Sequence, residues 1–260
     1  MPDIWSIDLS ILEWALFLLA GITAGIINTL AGSGSLITLP IFVFVCGLPA
    51  PIANGTNRIG VLLQSAVGLG TYHKSGKTSF EGAAWLVGPT VAGAILGSMI
   101  AVELDEETMN LVLGGLLAFM LVVLLVKPSR WIHEMPVDRS RSKHPLSLLT
   151  FFAIGVYGGF IQAGVGIFLL AGLVLISRYS LSSGNGMKLL IVFLFGVPSL
   201  AVFLLNGQVH VGYGLAMAIF QSLGAWIAVR WVVRFENADT WIHRLLIVIV
   251  AVASLKFFLG

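Results

Sequence analysis

Between Trp14 and Asn57 the chain runs 44 residues without one Asp, Glu, Lys, Arg or His. No soluble fold of ordinary composition tolerates such a run, because about a quarter of a globular domain is charged. Further ionisable-free runs follow. They cover 145–177 (33 residues), 82–102 (21), 108–126 (19), 189–209 (21) and 211–229 (19). A helix needs about 20 apolar residues to cross a bilayer, so the last four runs each match one crossing. The composition agrees, with 58% hydrophobic and 10% charged residues and a mean hydropathy of +1.00. The short alternating segments of a β-barrel are absent from the pattern. Backbone facing lipid must satisfy its own hydrogen bonds, so the segments are read as helices. The expected fold class is an all-α integral membrane protein.

The first residues do not read as a secretory signal, because Asp3, Asp8 and Glu13 stand where such signals carry basic residues. A single cysteine, Cys46, allows no internal disulfide and no cysteine metal cluster. The sequence contains no zinc-protease motif, phosphate-binding loop or dinucleotide fingerprint, so neither an enzyme nor a cofactor is expected. Nor does it carry a basic patch suited to nucleic acid.

Two blocks of the chain repeat. Gly21 and Gly25 correspond to Gly155 and Gly159, Asn28 to Gln162, and Ala31-Gly-Ser-Gly34 to Ala163-Gly-Val-Gly166. Asn54-Gly55 and Arg58 correspond to Asn185-Gly186 and Lys188. Each block leads a set of five apolar segments. The first set is 11–30, 35–46, 57–71, 83–102 and 109–126. The second is 145–161, 166–177, 187–205, 211–230 and 241–258. The second member of each set is too short for a comfortable crossing and reads as a half-helix or the return arm of a hairpin.

Five is odd, so the second set should enter from the opposite face, giving the inverted repeat common in secondary transporters. Charge supports this layout. With the N-terminus outside, eleven of the fourteen basic residues fall in cytoplasmic stretches, as the positive-inside rule requires. The exceptions are Arg58, Lys188 and Lys256. The expected organisation is a first membrane repeat at 1–126, a cytoplasmic linker without a fold of its own at 127–144, and a second repeat at 145–260.

The candidate site follows from breaks and buried charge. Asn28-Thr-Leu-Ala-Gly-Ser-Gly-Ser35 would interrupt a helix inside the longest uncharged run. Irregular backbone at membrane depth belongs where it is buried in protein or lines a wet cavity. Free amides there favour anions. Gly32, Ser33, Gly34 and Ser35 are therefore expected to face Gly164 and Gly166 across a site, with Asn28, Asn57 and Gln162 as neutral partners. The competing reading is that the glycines serve helix packing, as the G-x-x-x-G pairs at Gly21, Gly93 and Gly155 should. Only 14 uncharged residues separate Arg58 from His73, which draws the guanidinium toward the membrane interior. Ionisable groups there are costly and mark function. Arg58 is thus the expected main ligand of an anion, with Lys188 assisting; the competing reading is that Arg58 snorkels to the outer interface. Gln64, Gln162 and Gln221 are candidates either for the ligand or for bonds between helices.

The motif Gly21-x-x-Ala-Gly-x-x-Asn28-x-x-Ala-Gly-Ser-Gly-Ser35, then Pro40 and Ala53-Asn-Gly-Thr-Asn-Arg58, resembles the TauE/SafE family of sulfite and organosulfonate transporters. The second block departs from the family pattern, having Ala163-Gly-Val-Gly-Ile-Phe-Leu-Leu170 without a following proline. The resemblance implies a multi-pass protein of a bacterial inner membrane that moves a small sulfur-containing anion. An uncoupled anion channel and a membrane scaffold or assembly protein are the alternatives. The expected partners are the bilayer, a small anion and a coupling proton or sodium ion, with homo-oligomers allowed and nucleic acid excluded.

Overall fold

The structure is a computed structural model, and it describes residues 4–74, 80–126, 136–230 and 238–259. Ten α-helices follow one another: α1 (Ile11–Ala31), α2 (Ser35–Phe44), α3 (Ala50–Lys74), α4 (Ala83–Val102), α5 (Glu106–Leu125), α6 (Pro145–Phe160), α7 (Val165–Ala171), α8 (Leu181–Leu205), α9 (Val211–Arg230) and α10 (Ala238–Leu259). No strand occurs among the described residues. Five helices, α1, α4, α5, α8 and α9, are long and apolar enough to cross a membrane, which makes this a multi-pass membrane protein.

Local chemistry sets the helix ends. Ser10 opens α1 with a capping box, its hydroxyl and backbone both bonded to Glu13. Asp105 opens α5 by accepting from the Thr108 amide at 2.8 Å. Pro145 occupies the first turn of α6, where its missing N–H costs nothing. The expected linker at 127–144 is described only from residue 136. Its described part contains a 3-10 turn, Arg139–Lys143, capped by Asp138.

The third helix of each set begins earlier than the sequence pattern suggests, at Ala50 rather than 57 and at Leu181 rather than 187. Residues 50–56 and 181–186, which the apolar segments leave out, are helical: Asn54 in α3 and Ser183 and Gly184 in α8 are buried by neighbouring helices, as are Asn57 and Arg58. For the same reason α3 has 25 residues yet too little apolarity to count as a lipid-facing span.

The helices pack in a pattern that repeats at an offset of five. α1 lies on α9, and α6 on α4. α3 lies on α9, and α8 on α4. α3 also meets α8, and α5 meets α10. Glycines make two of these approaches. A methyl group on Gly25 would strike the Gln221 backbone, and one on Gly224 would strike Ile22. In the other pair, methyls on Gly155 and Gly159 would strike the backbones of Thr90 and Ala94. The small-residue stripes therefore serve packing, as expected.

Contacts sort the connections between the two ends of the bundle. At one end Tyr179 donates its hydroxyl to the Glu81 carbonyl and lies against Ser142. At the other, Gly212 N–H donates to Ile4, Gln208 donates to Val102 at 2.9 Å, and the His210 amide donates to Thr56.

Candidate functional site

Both helix breaks fall where the sequence places them. α1 ends with Gly32 at φ +75°, its N–H donating to Asn28 and Ile27 carbonyls. This left-handed position suits glycine. Gly164 takes the equivalent conformation, φ +69°, just before α7. The two breaks touch: Gly166 N–H donates to the Gly32 carbonyl at 3.0 Å. A side chain on either residue would collide with the backbone of the other.

Beside this contact lies a small cavity. Asn28, Gly32, Ser65, Gln162, Gly166 and Lys188 supply its polar side, and Val61, Val165, Leu189 and Val192 its apolar wall. Its free volume is about 10 Å³ to the centre of a water-sized sphere, room for roughly one water. Ser65 stands 15 residues into the 25-residue α3. At 1.5 Å per residue the cavity is thus about 22 Å from one end of that helix and about 14 Å from the other.

Within this cavity Lys188 is 1% exposed. Its ammonium donates to the Thr29 carbonyl at 3.1 Å and to Asn185 Oδ1 at 2.9 Å. The first bond places a cation on the carbonyl end of α1, where the helix dipole is negative. No acidic side chain among the described residues pairs with it; Arg141 and Asp138, which do pair, lie in the linker. Ser65 Oγ and both amide atoms of Gln162 are buried without a partner. An unpaired buried polar atom costs about 1–3 kcal/mol, so three converging on one cavity mark a place for something polar. Asn28 is held ready by its neighbours. Its Nδ2 donates to Gln64 at 2.9 Å, and its Oδ1 accepts from Gly34 N–H at 3.4 Å.

Arg58 occupies the corresponding position at the other break. Its guanidinium is fully buried and donates to the Gly158, Gly159 and Phe160 carbonyls and to Ser199 Oγ. It also lies 4.2 Å above the Phe203 ring. Arg58 thus closes the carbonyl end of α6, and Asn54 adds a bond to Phe160 at 2.9 Å.

Of the eleven residues expected from the sequence, Asn28, Gly32, Gln162, Gly166 and Lys188 come together around the cavity. The other six lie elsewhere. Asn57 bridges α2 to α3 by donating to Ser35 at 3.0 Å and accepting from Thr38 at 2.6 Å. Gly34 packs on Ala24 and Asn28, and Gly164 faces Met120. Ser33 is buried with its hydroxyl unpartnered. Arg58 is turned to α6. Ser65 was missed, although it stands seven residues after Arg58 and therefore on the same helix face, a spacing that could have singled it out. Gln64 bonds α1 through Asn28 and Thr29. Gln221 packs against Gly60, its Oε1 unpartnered. His210 caps α9, its Nδ1 accepting from Tyr213 N–H at 3.3 Å.

The family model described as Sulfite exporter TauE/SafE matches residues 17–257. Among curated proteins, the chain is 27% identical over 226 residues to a probable membrane transporter protein, ORF9, of Sinorhizobium sp., covering 86% of this chain and 85% of that one. It is 23% identical over 233 residues to the probable membrane transporter protein YfcA of Escherichia coli (strain K12), covering 90% and 85%. A probable membrane transporter protein of Haemophilus influenzae is 26% identical over 224 residues, covering 84% of each. No solved structure matches.

Proposed function

The chain belongs to the TauE/SafE family, and we propose that it is a secondary transporter of the bacterial inner membrane that moves small sulfur-containing anions such as sulfite or organosulfonates. One observation carries the reading: a buried cation, Lys188, shares a cavity at the paired helix breaks with the unpartnered Ser65 and Gln162. An ammonium in a low-dielectric interior without a carboxylate calls for a mobile counter-ion. The amide and hydroxyl supply neutral donors to oxyanion oxygens. In this reading Lys188 is the main ligand, and Arg58 holds α6 in place.

The arrangement also supports two inverted halves. The packing pairs map onto each other at an offset of five, and each half sends a cation from its third helix to close the first helix of the other. α1 starts at the bundle end that holds Ile4, and α6 at the end that holds Ser142. The linker end, with Lys143, Arg178 and Arg230, is then cytoplasmic. A cavity this closed favours alternating access over an open pore, with the two halves rocking about a central site.

Uptake into liposomes of sulfite, an alkanesulfonate, thiosulfate and sulfate, with and without imposed proton and sodium gradients, tests the reading. Saturable flux of at least one sulfur anion, accelerated by one gradient, is expected. Flux that ignores both gradients and does not saturate indicates a channel, and no flux of any anion refutes transport of this class.

A further inference from the structure

α3 and α9 meet closely at Gly60, where the Gln221 side chain fills the place of a Cβ. Toward their C-terminal ends they part. The gap is a groove of about 520 Å³, within the range of specific ligand sites. Its mouth carries Lys74 and Arg230, and its lining among the described residues contains no acidic side chain. Below the cations Val67 and Val229 form an apolar wall, and Gly70 leaves open space beside it. The Trp226 ring is 39% exposed and lies 5.3 Å beneath the Arg230 guanidinium. Indole rings of this kind settle at the headgroup level of a bilayer.

Each cation also favours its own helix's carbonyl end, which accounts for one Lys or Arg per helix. It does not account for both sharing one groove with a lipid-facing apolar floor. The opposite ends of the bundle make the contrast. There α4 and α8 end at Glu103 and Asn206, with Asp105 close by at the start of α5, and no Lys or Arg among them. Basic grooves between membrane helices recognise anionic headgroups.

We propose that this groove binds an anionic phospholipid of the leaflet on the linker side, its phosphodiester between Lys74 and Arg230 and one acyl chain along Val67 and Val229. The site is separate from the central cavity and independent of the transported anion.

Native mass spectrometry of the purified full chain in detergent, titrated with phosphatidylglycerol or phosphatidylcholine, tests it. Wild type should retain phosphatidylglycerol in preference to phosphatidylcholine. The Lys74→Gln/Arg230→Gln protein should lose that preference by roughly 30-fold, since each basic residue near a lipid surface contributes about a factor of five. The Lys74→Arg/Arg230→Lys protein, which keeps both charges, should retain it and so separates charge from misfolding. Glycerol phosphate at equal concentration should not displace the lipid. Equal retention of the two lipids by wild type, an unchanged preference in the double Gln variant, or displacement by glycerol phosphate overturns the proposal.

Discussion

Replacing Arg58 with Ala should damage stability far more than anion recognition. The guanidinium reaches three carbonyls at the end of α6. Two of them have second donors: Ser98 Oγ serves Gly159 at 3.1 Å, and Asn54 serves Phe160 at 2.9 Å. Gly158 loses its side-chain donor, a cost of about 1–3 kcal/mol for a buried acceptor. Ser199 still has Ser98 for a partner. The side chain is fully buried against Phe203, so its removal also leaves a cavity, worth about 2 kcal/mol or more. The total is on the order of 3–5 kcal/mol. Thermal unfolding of the detergent-purified protein should register a clear drop in Tm. The fraction that remains folded should bind the anion within about threefold of wild type, because Arg58 does not line the cavity. Arg58→Lys should recover part of the stability through one or two of the same carbonyls. A variant with unchanged Tm and lost binding would refute this assignment and make Arg58 the ligand.

Other outcomes follow from the same geometry. Gly32→Val should still insert, because the apolar spans are unchanged, but should lower Tm and abolish transport, since its side chain meets the Gly166 backbone at a positive φ; transport at the wild-type rate would make the contact mere packing. Gln162→Leu removes two unpartnered polar atoms, so Tm should hold or rise while anion affinity falls roughly tenfold, as read by a thermal-shift titration. With Cys46 replaced by Ala, Ser140→Cys should react with an impermeant thiol reagent only from the cytoplasm and Glu106→Cys only from outside. Labelling of both from one side would end the inverted-repeat reading.

Much of this molecule was legible in the chain. Ten apolar segments are readable from hydropathy and the gaps between charges, and the glycine breaks at Gly32 and Gly164 fall where the runs of small residues place them. Periodicity failed where helices bury polar faces. Residues 50–56, with Asn54, fall outside the third apolar segment because a lone helix in lipid would not carry such polarity, but in α3 Asn54, Asn57 and Arg58 face α2, α6 and α8 rather than lipid. The division of labour between Arg58 and Lys188 was hidden for a related reason. Both are cations at corresponding positions, and only the tertiary fold decides which carbonyls each one reaches. Lys188 ends in a cavity with unpartnered neighbours, whereas all but one of the Arg58 nitrogens are occupied by α6 and Ser199.

The role of Lys188 is the most direct point of attack. Counterflow of a radiolabelled sulfur anion in proteoliposomes should be measured for wild type and Lys188→Gln at matched protein density. Loss of one partner in a buried charge-assisted contact costs roughly 2–5 kcal/mol, so half-saturation should rise at least tenfold in the variant. Wild-type half-saturation and rate in Lys188→Gln would contradict the account.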